Sequence, residues 1–280
     1  MLFFSPNKFD NPADKLGNPV ATQSVRDALL DIKEVIFVKN VFGLFLCLLF
    51  LCACSRTNDT NILKIGTDAT YPPFEIIDTT TGELVGFDID LMKEICKEIS
   101  KKPEFIIVPF DGIIAGLKQK KYDAIISAMT ITDERSKEVG FSKPYFLAGQ
   151  SIVVREDNNS IKSLNDLINK KIGVQLGTTG EIEAKKILNV VVVSYDNISA
   201  AFIDLKNGRI DAIINDIPTN RLIVNQKGKM KIVGEPLTKE CYGIAVRQED
   251  KKLLELINCT LDKIQKNGIQ RKLYRKWQIE

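Results

Sequence analysis

The sequence predicts an α/β fold made of two similar lobes. From Ile62 onward, short apolar runs alternate with amphipathic stretches, which is the pattern of β–α units. Two such units, 110–127 (FDGIIAGLKQKKYDAIIS) and 198–215 (ISAAFIDLKNGRIDAIIN), match at a constant offset of 88 residues. Two further strand-like stretches, Gln150–Val154 and Cys241–Val246, are predicted to connect the lobes as hinges. The match supports two similar lobes, although shared topology alone can place similar strings in both.

The first lobe begins with a strand, and helices alternate with strands after it. In Phe87–Ile99, the residues Ile89, Met92 and Ile95 recur at helical spacing. The predicted elements are strand Leu63–Gly66, helix Phe87–Ile99, strand Glu104–Val108, helix Ile113–Lys120 and strand Tyr122–Ile126.

The second lobe repeats this order, and an amphipathic helix follows it. In Lys251–Gln265, the residues Leu254, Ile257, Leu261 and Ile264 lie on one helical face. The predicted elements are strand Lys171–Val174, helix Thr179–Leu188, strand Val190–Ser194, helix Ser199–Asn207, strand Arg209–Ile214 and helix Lys251–Gln265.

Composition excludes several classes of protein. The chain has 280 residues, enough for one large or two modest domains. It contains no histidine, which excludes a Ser-His-Asp triad, a Cys-His pair and a histidine-ligated metal. Basic residues (39) and acidic residues (36) nearly balance and no long basic run occurs, so nucleic-acid binding is not expected. No Cys-x-x-Cys pair supports metal or redox chemistry, so no metal and no cofactor are predicted.

An apolar run near the N-terminus predicts export. The thirteen residues of Val41–Ala53 are too few for a membrane span, which needs about 20. Lys39 precedes the run, and Leu51–Cys54 (LCAC) closes it before a polar stretch. This order is typical of a bacterial lipoprotein signal peptide, here at 35–53, with Cys54 as the lipidated residue. A short buried helix or an uncleaved anchor is the alternative.

The segments on either side of this signal follow from its position. Met1–Glu34 is polar and has no signal character, although signal peptides normally begin close to their apolar run. We therefore expect translation to start near Val35 or Val38, which makes residues 1–34 a non-native N-terminal extension. Peptides from that range in purified protein would contradict this expectation. Residues 54–61 are expected to form a polar tether.

Polar residues follow two equivalent strands of the predicted lobes. Ser127 follows the third strand of the first lobe, and Asn215 and Asp216 occupy the equivalent place in the second. Ligands of open α/β sheets bind outside the carboxyl ends of the strands, so we expect a cleft between the lobes. Hydroxyl oxygens of Ser127 and Thr130 can accept from an ammonium, and the fork of Arg135 can bind a carboxylate. The alternative is that the two hydroxyl residues end a strand and that Arg135 begins a solvated helix.

Several strings, in one order along the chain, resemble a known family. They are Gly66–Glu75 (GTDATYPPFE), Gly86–Leu91 (GFDIDL), Asp123–Arg135, Phe141–Tyr145, Gly177–Glu181 (GTTGE), Gly268 and Trp277. On these strings, the chain from about Ile62 to Trp277 resembles the polar amino-acid-binding proteins of bacterial ABC importers (solute-binding protein family 3). The resemblance implies the type II periplasmic binding fold, in which two Rossmann-like lobes are joined by two hinge strands around a ligand cleft. We assign lobe 1 to 62–149 and 243–280, and lobe 2 to 150–242.

The resemblance also implies how the ligand backbone is bound. The position of Arg135 binds the α-carboxylate of an amino acid, assisted by backbone N–H groups near Thr130 and Thr179. The α-ammonium is received by Asp216, Ser127 and Thr130. These roles agree with the hydrogen-bonding capacity of each side chain.

The side chain of the ligand is implied to lie between two aromatic rings. Tyr71 and Phe110 enclose it, and Asp68 meets its polar or cationic tip; the alternatives are that Tyr71 is a core residue and that Asp68 caps a turn. Some relatives carry serine where Ala128 stands, so one hydroxyl contact is absent here. The complete set of expected ligand-site residues is Asp68, Tyr71, Phe110, Ser127, Ala128, Thr130, Arg135, Thr178, Thr179 and Asp216.

The implied function is capture without catalysis. Hinge closure traps a free amino acid, and the monomeric, lipid-anchored protein delivers it to the permease subunits of an ABC importer outside the cytoplasm. Arginine is favoured, because a planar guanidinium stacks well between rings and pairs with a carboxylate, and lysine and histidine follow. Glutamine remains an alternative. So do a cyclohexadienyl-dehydratase-like enzyme that uses Asp216 or Glu181 for proton transfer, and the sensor ectodomain of a receptor.

Three cysteines remain after the signal peptide. Cys96, Cys241 and Cys259 are odd in number, which predicts at least one free thiol unless a second chain pairs with it. Some relatives have a short disulfide near Cys96, but Lys102 and Pro103 stand where its partner would be, so that bridge is not expected.

Overall fold

The computed structural model describes residues 61–279. It confirms the predicted α/β class, because two five-stranded sheets with flanking helices form two lobes. The predicted N-terminal extension, signal peptide, lipidation at Cys54 and all of the tether before residue 61 lie outside the described residues.

Lobe 1 holds the first half of the described chain and its last elements. In chain order its first part contains β1 (Ile62–Thr67), β2 (Thr70–Tyr71), β3 (Glu75–Ile77), β4 (Leu84–Val85), α1 (Phe87–Glu98), β5 (Lys102–Ile107), α2 (Ile113–Lys118), β6 (Ala124–Ile125), α3 (Asp133–Ser136) and β7 (Gly140–Phe141). The chain then crosses to lobe 2 through β8 (Phe146–Ala148).

Lobe 2 occupies the middle of the described chain. It contains β9 (Gln150–Arg155), β10 (Lys171–Gln175), α4 (Thr179–Lys185), β11 (Val191–Tyr195), α5 (Ile198–Lys206), β12 (Ala212–Asp216), α6 (Ile217–Lys227) and β13 (Met230–Val233). The chain returns through β14 (Glu240–Tyr242), adds β15 (Ala245–Val246) to the lobe 1 sheet, and ends with α7 (Lys251–Lys266) and α8 (Ile269–Trp277).

The two sheets have the same topology. Their strand orders are β5-β1-β6-β15-β7 and β11-β10-β12-β9-β13. In each, three neighbouring strands are parallel, and the fourth strand, which adjoins a crossing, runs antiparallel. Strands β6 and β12 contain the sequence match at an offset of 88 residues. They therefore occupy the same place in their sheets.

Asp123 and Asp211, which recur in the sequence match, accept equivalent hydrogen bonds in the two lobes. Asp123 Oδ2 accepts a hydrogen bond from the backbone N–H of Lys64 (3.1 Å), at the start of β1. Asp211 Oδ2 accepts one from Lys171 N (2.8 Å), at the start of β10. Each aspartate thus fixes the register between the first and third strands of its lobe.

A pair of glycines extends this correspondence to the packing beside the sheets. A Cβ at Gly66 would lie 2.6 Å from Tyr122 Cε2, and one at Gly173 would lie 2.5 Å from Ile210 Cδ1. Both distances are shorter than ordinary Cβ contacts, so a larger residue at either position would displace the side chain that packs on the strand backbone. The match in sequence is therefore a match in hydrogen bonding and in packing.

The crossings differ from the predicted hinge stretches. Gln150–Val154 lies within β9 of the lobe 2 sheet, and Cys241–Val246 is divided between β14 and β15. The strands that pair between the five-stranded sheets are β8 and β14. An apolar run in sequence does not show which sheet it joins, and here one run contributes to two sheets.

The C-terminal helices complete lobe 1. Buried residues Ile257, Leu261 and Ile264 lie on the predicted apolar face of α7, and α7 and α8 both pack against α1. Asp90 of α1 accepts hydrogen bonds from Trp277 Nε1 (2.8 Å) and Lys276 Nζ (2.6 Å). These contacts attach helix α8 to helix α1.

Three further observations concern the described residues alone. In this range no helix is long and apolar enough to cross a membrane. Between residues 61 and 279, no group of three or more Cys, Asp or Glu side chains is arranged to hold a metal ion. Over the same stretch, Cys96, Cys241 and Cys259 are free thiols.

Candidate functional site

A cavity lies between the lobes, beside the carboxyl ends of β1, β6, β10 and β12. Its position is the one that the strand-end rule predicts. All ten residues expected from the sequence line it, and so do two others, Glu75 and Gln175.

The turn after β6 forms the lobe 1 wall of the cavity. Ser127 Oγ accepts a hydrogen bond from Asp68 N (3.0 Å) and donates one to Glu75 Oε1 (2.8 Å). Ala128 has a φ of 44°, in the left-handed region that residues other than glycine rarely adopt. Its N–H donates to Asp88 Oδ2 (2.7 Å). Buried carboxyl groups therefore hold this wall in its unusual conformation.

Arg135 reaches across the cleft. Thr132 caps α3, because its side chain accepts from Arg135 N (3.1 Å). The guanidinium donates to Thr130 O (2.7 Å) in its own lobe and to Gly177 O (3.0 Å) in lobe 2. Its Cζ lies 5.3 Å from the ring centroid of Phe110. Only part of the five-donor fork contacts protein carbonyls, so the side chain retains capacity for a ligand carboxylate.

Burial and nearby acids have opposite effects on the pKa of Arg135. Burial lowers the pKa of Arg135, whereas Asp216 and Glu240 act in the opposite direction. A guanidinium remains protonated under any condition in which the protein is folded. The alternative from the sequence placed Arg135 at a solvated helix start. The residue does lie in the first turn of α3, but it is half-buried and lines the cavity.

Asp216 is the main acid on the lobe 2 side. It is buried and accepts hydrogen bonds from Tyr71 Oη of lobe 1 (2.8 Å), from Tyr242 Oη of β14 (2.6 Å) and from Gln150 Nε2. Burial and then the nearby Glu240 raise the pKa of Asp216 to about 6, against these hydrogen bonds. The carboxylate is thus available near neutral pH but is protonated in mild acid.

Asp68 and Gln175 face each other across the cavity. Gln175 Nε2 donates to Asp68 Oδ2 (2.8 Å), which also accepts from Thr70 Oγ1 (2.7 Å). Burial raises the pKa of Asp68, these two hydrogen bonds lower it, and Asp111 adds to the increase, with a net upward shift. The Oε1 atom of Gln175 is buried and has no donor. This end of the cavity therefore presents acceptor oxygens.

Glu240 joins both lobes although it lies on a crossing strand. Its Oε2 accepts from Thr130 Oγ1 of lobe 1 (2.7 Å) and from Thr179 Oγ1 of lobe 2 (2.9 Å). Its Oε1 accepts from Thr238 Oγ1 (2.7 Å). Thr178 is the N-cap of α4 and completes the lobe 2 wall. The hydroxyl groups at the cavity are thus ordered by an acid that the sequence did not indicate.

The residues missed from sequence differ in how they could have been found. Gln175 ends β10 as Asp68 follows β1, so the strand-end rule applied to the first strand of lobe 2 would have found it. Glu75 belongs to the GTDATYPPFE string but no spacing rule gives it a role. Glu240 stands in a short crossing, where sequence offers no signal.

The comparisons with known proteins agree with this geometry. Residues 63–280 match the family of bacterial extracellular solute-binding proteins, family 3. ABC transporter arginine-binding protein 1 of Escherichia coli (strain K12) is 40% identical over 221 residues, which is 77% of this chain and 90% of that protein.

Solved structures give the same assignment. An ancestral arginine-binding protein bound to arginine is 50% identical with a TM-score of 0.75, covering 78% of this chain and 98% of that chain. One bound to glutamine is also 50% identical with a TM-score of 0.75, covering 78% and 97%. The ancestral amino acid-binding protein AncCDT-1, a precursor of cyclohexadienyl dehydratase, is 42% identical with a TM-score of 0.74, covering 78% and 96%. The chain belongs to family 3 of the bacterial extracellular solute-binding proteins.

Proposed function

We propose that the protein captures a free cationic amino acid, arginine first, and delivers it to the permease subunits of an ABC importer. One observation carries the proposal: Arg135 of lobe 1 and Asp216 of lobe 2 line the same cavity. Together they match the two charges that every free amino acid carries. The N-terminal sequence signal further supports a protein held outside the cytoplasm by a lipid on Cys54. The protein is proposed to act as a monomer.

In the proposed complex each charge of the ligand backbone has a partner. Arg135 binds the α-carboxylate, with the backbone near Thr130 and Thr179. Asp216 binds the α-ammonium, with the hydroxyl groups of Ser127 and Thr130. Charge-assisted hydrogen bonds contribute about 1.5–3 kcal/mol each, so several of them allow micromolar or tighter binding after the cost of immobilising the ligand.

The proposed closure of the lobes depends on contacts that join one lobe to the other. Hydrogen bonds from Arg135 to Gly177, from Gln175 to Asp68 and from Tyr71 to Asp216 all join lobe 1 to lobe 2. A ligand that touches both walls stabilises the closed form by its differential affinity for that form. Crossing strands β8 and β14 are the proposed hinge.

The preference for a cation rests on the acids of the cavity. Among the twelve lining residues, Asp68, Glu75 and Asp216 are acids and Arg135 is the basic one. The ligand backbone uses Arg135 and Asp216, so a positive side chain is favoured at the Asp68 end. Tyr71 and Phe110 enclose that side chain in the proposed complex, and a planar guanidinium stacks on rings better than an ammonium does. Lysine and histidine follow, and glutamine is the alternative ligand.

A thermal-shift screen against the twenty amino acids tests this function. Arginine at about 100 times its Kd is expected to stabilise the folded protein by about 2.7 kcal/mol. A larger shift with glutamine would select the alternative ligand. If none of the twenty stabilises the protein, binding of a free amino acid is refuted.

The dehydratase alternative is a second candidate because AncCDT-1 is a precursor of such an enzyme. It needs a free proton-transfer group in the cleft. Glu181 is outside the cavity lining, where it pairs with Lys185 (2.9 Å) and Gly177 N (2.8 Å). Although burial raises the pKa of Glu181, these contacts and Ser194 produce a net decrease. Turnover of a cyclohexadienyl acid, without stabilisation by any amino acid, would favour the enzyme.

Asp68→Asn is expected to weaken arginine binding about 10- to 100-fold, because it removes the charge facing the guanidinium. Glutamine affinity should change by less than about threefold, since an amide oxygen still accepts from the ligand amide. Calorimetric titration of both ligands measures how far each affinity falls relative to the wild type. The control is Asp262→Asn, an exposed aspartate of α7, which should change neither affinity. Equal losses for both ligands would contradict the role of Asp68.

A further inference from the structure

Two buried carboxyl groups lie behind the wall of the cavity. Glu75 of β3 and Asp88 of α1 are both 0% exposed. Glu75 Oε1 accepts from Ser127 Oγ (2.8 Å), and Asp88 Oδ2 accepts from Ala128 N (2.7 Å) and Tyr145 Oη (2.8 Å). The remaining oxygens, Glu75 Oε2 and Asp88 Oδ1, are buried with no N–H or hydroxyl donor.

The two acids bind consecutive residues of one turn, since Glu75 accepts from Ser127 and Asp88 accepts from Ala128, so the carboxyl groups are close neighbours. An ionised carboxylate accepts hydrogen bonds but donates none, so a proton on one of the two unpartnered oxygens would supply the donor that the other lacks. Two buried carboxylates at short range cannot both be ionised without a large electrostatic cost. We propose that Glu75 and Asp88 share one proton, and that this pair positions Ser127 and Ala128 at the cavity.

The surroundings favour retention of that proton. Burial, followed by the charge of Asp88, raises the pKa of Glu75 well above its usual range. Burial raises the pKa of Asp88 to about 7, against hydrogen bonds from Ala128, Tyr145 and Glu75. The titratable groups that act on the pair from other elements are Asp68 beside β1, Tyr145 before β8, and Tyr274 of α8 through Tyr145. The two tyrosines are neutral at pH 7, whereas the negative charge of Asp68 favours a proton on the pair.

The pair acts on the ligand site through the turn that follows β6. Ser127 connects Asp68 N to Glu75, and Ala128 keeps its left-handed backbone with its N–H bound to Asp88. If both acids were ionised, electrostatic repulsion would push Glu75 and Asp88 apart and displace the turn that contains Ser127 and Ala128. The positioning role rests on the proposed function, because Ser127 is a proposed contact of the ligand ammonium. The shared proton does not depend on it.

Amide substitutions test the proton itself. In Glu75→Gln, the amide N–H₂ replaces the proton and donates to Asp88 while the amide oxygen still accepts from Ser127. In Asp88→Asn, the amide donates to Glu75 and its oxygen still accepts from Ala128 N and Tyr145. Infrared spectra at pH 7 should show a carbonyl stretch of a protonated carboxyl group in the wild type and lose it in both variants. Glu83→Gln, a change at an exposed glutamate, should retain it. Absence of the band from the wild type, or its persistence in both variants, overturns the shared proton.

The pH dependence of unfolding gives a second measurement. The folded pair holds a proton that the unfolded acids release above about pH 4.5, so wild-type stability falls as pH rises through 7. Between pH 5 and 8, the melting temperature of both variants should fall less than that of the wild type. Equal slopes of melting temperature against pH in the wild type and the variants would contradict the proposal.

Arginine affinity then separates positioning from direct contact. At pH 7 Asp88→Asn, which lies outside the cavity lining, should bind arginine within about threefold of the wild type, because its amide oxygen still accepts from Ala128 N and holds the turn. A loss of 100-fold or more in Glu75→Gln alone would show direct ligand contact and overturn the positioning role. Wild-type protein that shows the band but binds no amino acid would refute the proposed function and leave the shared proton standing.

Discussion

Arg135→Ala is expected to lower arginine affinity at least about 100-fold. In the proposed complex the guanidinium makes two charge-assisted hydrogen bonds to the ligand carboxylate, each worth about 1.5–3 kcal/mol. Truncation removes both and leaves the carboxylate in a cavity where the remaining charged residues of the lining, Asp68 and Asp216, are acids. A change of 1.4 kcal/mol is tenfold in Kd, so the lower limit of this sum already gives about 100-fold. Calorimetry on the purified variant measures it.

Arg135→Lys separates charge from geometry. The lysine ammonium keeps the positive charge but cannot form two parallel bonds, so its loss of affinity should lie between those of the wild type and Arg135→Ala. Arg209→Ala removes an exposed arginine that pairs with Asp204 and serves as the matched control. Affinity within threefold of the wild type in Arg135→Ala would disprove the assigned role.

The fold of the Arg135 variant should survive. Its guanidinium bonds to Thr130 O and Gly177 O are lost, which costs about 1 kcal/mol each when the freed carbonyls regain water. For a domain of this size that corresponds to a decrease of about 2–4 °C per kcal/mol in melting temperature. A large loss of binding with a small loss of stability is the pattern that distinguishes a ligand contact from a structural residue.

The pattern of the lobes was predictable because both lobes repeat the same packing and hydrogen-bonding constraints. Asp123 and Asp211 each accept a hydrogen bond from a backbone N–H near the start of a neighbouring strand, and Gly66 and Gly173 each lie against a bulky side chain. Each constraint joins the first and third strands of one lobe, so equivalent residues recur in both lobes. That is why the match at an offset of 88 residues identified the central strands β6 and β12.

The cross-lobe contacts were less predictable because they depend on tertiary placement. Helix α6 was not among the predicted elements, although Pro218 in its first turn is compatible with a helix start. Glu240 contacts Thr130 and Thr179 only because β14 passes the mouth of the cleft. No periodicity in the sequence encodes the meeting of residues from three separate segments.

Asp216→Asn is expected to weaken arginine binding about 100-fold or more. Removing one partner of a buried charge pair costs about 3–5 kcal/mol, because the other charge, here the ligand ammonium, is left without compensation. The amide also places N–H donors among Tyr71, Tyr242 and Gln150, which all donate to Asp216 in the wild type. Asp262→Asn is again the control, and an unchanged affinity for arginine would refute the ammonium site.

The pH dependence of the wild type provides an independent check on Asp216. Because its pKa is raised to about 6, mainly by burial, the free folded protein holds a proton that the unfolded aspartate releases near pH 4. The contribution of Asp216 to the stability of the free protein is therefore present below pH 4 and is lost as pH rises through 6.

Arginine affinity should change in the opposite direction and rise with pH. Below pH 6 the ligand must displace that proton, so affinity falls by up to about tenfold per pH unit, and the raised pKa of Asp68 adds to the decrease. In Asp216→Asn only the part due to Asp68 should remain, and wild-type affinity that stays constant from pH 7 to 5 would contradict a carboxylate partner for the ammonium.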